Sequence, residues 1–175
     1  MNDDATELEI DKGKERGPET TNDPVLFMQK FEESEYFKED ILTYYDRNPQ
    51  PNLDKDQKRT QFLNSKRARA TLDDFFSQKL RLVFDIQSDF YSKETISAII
   101  EYEAILRDRH KNFIDERGSE RESLSGEVVF LDNSQRESHM RAAELLSKDF
   151  NDKGINVPEL FCRQLIRKLI RARSS

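Results

Sequence analysis

The sequence predicts a mainly α-helical protein: a multi-helix domain with at most one short β-strand, behind an acidic, disordered N-terminal tail. Three observations lead there. The 175 residues include only five glycines and five prolines, too few breaks for a turn-rich sandwich or barrel. Apolar residues recur at helical spacing along most of the chain, as amphipathic helices require. Helix start and stop signals, such as Asp23-Pro24 at one end and Gly154 at the other, fall where those periods begin and end.

Composition limits the size of the core. Charged residues make up 37% of the chain and hydrophobic residues 35%, against about a quarter and roughly 45–50% in ordinary soluble domains. With twelve Phe and no Trp, the core is expected to be thin and built from Phe, Leu and Ile. Elongated helices, a helical hairpin or a dimer suit such a chain. Cys162 is the only cysteine, so no intramolecular disulfide forms. No secretory segment follows Met1 and no apolar run approaches about 18 residues, so a reducing, cytoplasmic location is expected. Cys162 lies among Phe161, Leu165 and Ile166 and reads as a buried apolar filler rather than a reactive thiol.

The elements follow in order. Residues 1–22 have few apolar positions and read as a disordered acidic tail, either an inert solubilising segment or an arm that binds a partner. A single α-helical domain is expected over 23–175. Asp23 as N-cap and Pro24 at the first helical position open a helix. Phe37, Ile41, Tyr44 and Tyr45 continue it along one face until Asn48-Pro49 stops it. A second helical region opens near Asp54, basic to Ala70 and then apolar through Leu72, Phe75, Phe76, Leu80, Val83 and Phe84. Ser92 caps a third, from about Lys93 to Arg117, with Ile99, Glu103, Leu106, His110 and Phe113 on a heptad-like seam. Residues 127–131 are the one credible strand. Ser134 to Glu137 has the form of a capping box for a helix that Gly154 closes, and Asn156-Val157-Pro158 starts the last helix. No repeat with a period of 20–50 residues is apparent.

No catalytic constellation emerges. The two histidines, His110 and His139, both read as structural or surface groups. Glu103 stands seven residues from His110, about 10.5 Å along a helix, so the two cannot touch, although Arg107 can bridge toward Glu103. The chain has no H-E-x-x-H, no cysteine pair, no glycine-rich phosphate loop and no nucleophile elbow. The expectation is a protein that is not an enzyme, with no metal and no cofactor.

Two basic segments remain. The net charge of −6 disfavours generic nucleic-acid binding, but the charge is unevenly spread. Residues 1–40 hold thirteen acidic and five basic residues, whereas from Leu160 onward there are five basic and no acidic ones. In the last helix Phe161, Leu165, Ile166, Leu169 and Ile170 share one side, opposite Arg163, Arg167, Lys168 and Arg171. The plain reading docks that apolar side on the core; the sharper one offers it to a partner's groove. Lys55, Lys58, Arg59, Lys66, Arg67 and Arg69 form the second segment, either a solvated helix or a phosphate-contacting face. The function expected is a non-catalytic interaction or regulatory protein that acts through helical surfaces and self-associates. The alternative is a nucleic-acid-associated protein that uses both basic segments, with the acidic tail competing for them. Neither includes a membrane span.

Overall fold

The structure is a computed structural model that describes residues 17–117 and 133–174. These residues form two compact units, one running to Phe90 and also including Arg171, the other spanning Tyr91–Ile170.

The first unit opens with β1 (Glu19–Thr21), followed by α1 (Pro24–Glu33) and α2 (Glu35–Arg47). Then come α3 (Lys55–Leu63), α4 (Lys66–Gln78) and β2 (Leu80–Leu82). The caps explain the boundaries. Asp23 Oδ1 accepts from the N–H groups of Val25 and Leu26 at 3.0 and 3.3 Å. Asp54 and Gln57 form a reciprocal capping box at 2.8 and 2.9 Å, which satisfies two end groups that would otherwise lack partners.

Each of the two long helices expected between residues 23 and 87 is in fact a pair, and a serine makes the break each time. Ser34 Oγ donates to the Phe31 carbonyl at 2.6 Å and accepts from Phe37 N–H at 3.2 Å. Ser65 repeats this, donating to the Phe62 carbonyl at 2.6 Å and accepting from Ala68 N–H at 3.2 Å. One hydroxyl thus ends one helix and caps the next. The echo is structural rather than a sequence repeat, since few side chains match around the two serines.

The breaks aim phenylalanines at one cluster. Phe31 lies 5.3 Å from Phe37 and 5.4 Å from Phe75, edge to face. Phe37 in turn meets Phe62 at 5.5 Å. Phe27, Phe31 and Phe62 are fully buried.

β1 and β2 pair in parallel, with Glu19 opposite Leu80 and Thr21 opposite Leu82, and Val83 N–H extends the ladder to the Thr21 carbonyl at 2.8 Å. This ribbon corrects two expectations. The segment read as tail contributes an ordered strand, and the helix expected to carry Leu80, Val83 and Phe84 stops at Gln78. Strands of three residues are too short to show an alternating pattern.

The second unit contains α5 (Lys93–Arg117), α6 (Asn133–Asp152) and α7 (Glu159–Ser174) up to Ile170. Ser92 caps α5 as expected, accepting from Thr95 N–H at 3.1 Å. Its own N–H donates to the buried Asp149 near the end of α6 at 3.0 Å, so α5 and α6 run antiparallel. Gly154, at φ +82°, closes α6 as expected: Ile155 N–H reaches the Phe150 carbonyl at 3.0 Å and Gly154 N–H the Asn151 carbonyl at 2.9 Å. Those two bonds define a Schellman motif. The helix expected from Ser134 is present, described from Asn133 onward, and the residues before it lie outside those described. The strand expected at 127–131 lies outside the described residues, as does most of the acidic tail.

Phe31→Ala should lower the stability of the first unit by about 3–5 kcal/mol, whereas Leu42→Ala, at a side chain 68% exposed, should stay within about 0.5 kcal/mol. Denaturant unfolding followed by far-ultraviolet circular dichroism compares the two. Equal effects would remove Phe31 from the centre of the core.

Candidate functional site

The basic residues of the first unit sit on α3 and α4, and the fold neutralises two of them. Arg59 forms a two-pronged ion pair with Glu32 of α1, Nε to Oε1 and Nη2 to Oε2, the latter at 2.8 Å. Arg67 Nη2 donates to Asp40 Oδ1 of α2 at 3.1 Å, and the buried Thr71 hydroxyl donates to Asp40 Oδ2 at 2.7 Å. Lys58 lies 5.4 Å from the centre of the Tyr45 ring, and the Tyr45 hydroxyl donates to the Lys58 carbonyl at 2.7 Å. Lys55, Lys66 and Arg69 are exposed. Much of the basic run therefore fastens α3 and α4 to the acidic helices before them. Sequence reasoning missed this because the partners are 27 residues away, beyond any helical spacing.

The second basic segment is also drawn into the fold. Phe161, Leu165, Ile166, Leu169 and Ile170 are at most 5% exposed. The candidate partner-helix face is therefore not available to a partner's groove; α7 buries it within the chain, as the plainer reading held. Arg163 makes an i, i+4 pair with Glu159 at 3.4 Å and, with Arg167 and Lys168, is half-buried, while Arg171 is exposed.

A polar cluster fills the interior where α5, α6 and α7 meet. The His139 ring stacks on that of Tyr102 at 4.6 Å and 8°, and its Nε2 lies 3.0 Å from the Arg163 carbonyl. A carbonyl can only accept, so Nε2 carries the proton. Burial, opposed by that hydrogen bond and assisted by the charges of Arg167 and Arg163, lowers the His139 pKa to about 4. Burial raises the Tyr102 pKa, and the charge and hydrogen bond of Arg167 partly offset the rise. His139 is thus a neutral packing group, as the sequence suggested. The His110 side chain lies outside the described residues. Arg107 does bridge to the buried Glu103, at 3.2 Å.

Cys162 is fully buried, its thiol 3.8 Å from the Val157 carbonyl, and burial pushes its pKa up. Thiolate chemistry is suppressed at such a site. Among the described residues no group of three His, Cys, Asp or Glu is placed to hold a metal, and no helix is long and apolar enough to cross a membrane.

Among the described residues, one concave feature that sequence reasoning missed is a shallow groove of about 720 Å³ at the carboxyl ends of β1 and β2. Thr20, Thr21 and Asn22 line one side and Val83, Phe84, Asp85 and Ile86 the other. Asn22 Nδ2 donates to Asp85 Oδ2 at 2.8 Å across it, and Gln87 N–H donates to Oδ1 at 2.9 Å. No sequence signal marked it, because it exists only once the ribbon forms.

The depressed His139 pKa ties stability to pH. The unfolded chain binds a proton near pH 6.5 and the folded one only near 4, so stability is full above about pH 6.5 and falls as the pH drops toward 4. The expected loss is about 3 kcal/mol. Thermal melts at pH 7 and pH 4.5 should show a smaller difference in His139→Gln than in the parent; an identical difference would clear His139 of the effect. Truncation after Val157 should lower the melting temperature by several degrees, because it removes the buried face of α7.

No protein-family model, no curated protein and no solved structure matches the chain.

Proposed function

We propose that the protein is a non-catalytic interaction or regulatory protein, cytoplasmic, that binds protein partners and copies of itself through the outer faces of its helices. The observation that carries this reading is the contrast between what is buried and what is presented. His139 and Cys162 are sealed in the second unit at 3% and 0% exposure, while Leu42, in the middle of α2, is 68% exposed. Ile100 on α5, Met140 on α6 and Leu160 on α7 also stand in solvent. Large apolar side chains on helix exteriors are what a partner helix or groove takes up.

A tagged pull-down from native lysate, split into nuclease-treated and untreated halves and read by mass spectrometry, tests the proposal. Partners should survive nuclease. Leu42→Glu or Leu160→Glu should then reduce capture at least tenfold with little change in melting temperature. Loss of every partner with nuclease, or full capture by both variants, would overturn the reading.

A second reading, association with nucleic acid, is favoured by Lys55 and Lys66, which are exposed and have no ion-pair partner among the described residues. If both touch phosphates, the double variant Lys55→Ala/Lys66→Ala should flatten the plot of log affinity against log salt by about 2. An unchanged slope would end this alternative.

A further inference from the structure

We draw no further inference here: the strongest candidate, the shallow groove at the carboxyl ends of β1 and β2 where Val83 and Ile86 stand exposed, is an open surface patch, and nothing in the structure shows what covers it.

Discussion

The edge-to-face packing of Phe31 against Phe37 and Phe75 is the contact on which the first unit depends. A chain with so few apolar residues cannot spread its core widely, so it concentrates burial in large rings, each removing roughly 150–250 Å² from water. Phe31 belongs to α1, Phe37 to α2, Phe62 to α3 and Phe75 to α4, so one cluster draws on four helices. It forms only because the chain turns at Ser34 and Ser65. A continuous helix through either position would carry the rings on its two halves along one line, with no second helix folded back to meet them.

Charge completes what the rings begin. The ion pairs of Arg59 with Glu32 and of Arg67 with Asp40 join the basic helices to the acidic ones at the margin of the aromatic core. Such part-exposed pairs contribute modestly to stability. Geometry matters more: the two-pronged guanidinium of Arg59 donates to the Glu32 carboxylate in few orientations, so that pair helps select one arrangement of the helices. The second unit achieves selection differently, with a polar interior in which Tyr102, His139 and Arg167 occupy places that hydrocarbon would fill in an ordinary three-helix packing. Burial of that kind favours a single register, since a slip of one turn would strand a polar group.

The legible features were those written locally. Asp23-Pro24, Asp54, Ser92 and Gly154 act within a few residues, and each appears in the structure where the sequence placed it. The apolar side of the last helix was equally plain, and so was the buried setting of Cys162. What failed was non-local or ambiguous. Ser34 and Ser65 are acceptable inside a helix, and only the need to bring Phe31 to Phe75 makes them breaks. Glu19–Thr21 looked like the rest of an acidic tail, because its strand character comes entirely from Leu80–Leu82, and the groove inherits that dependence. The basic run was visible as charge but not as structure, because its carboxylate partners belong to other helices.

The ribbon that closes the first unit has a mechanical consequence. Its strands are parallel, so tension applied through residue 17 at one end and residue 83 at the other pulls β1 and β2 along their axes in opposite directions. The ladder is then loaded in shear: its hydrogen bonds share the force and yield together, instead of opening one by one like a zipper. The four helices between the strands feel little of that load until the ribbon parts. Three residues of strand would thus set the force at which some sixty residues begin to unravel.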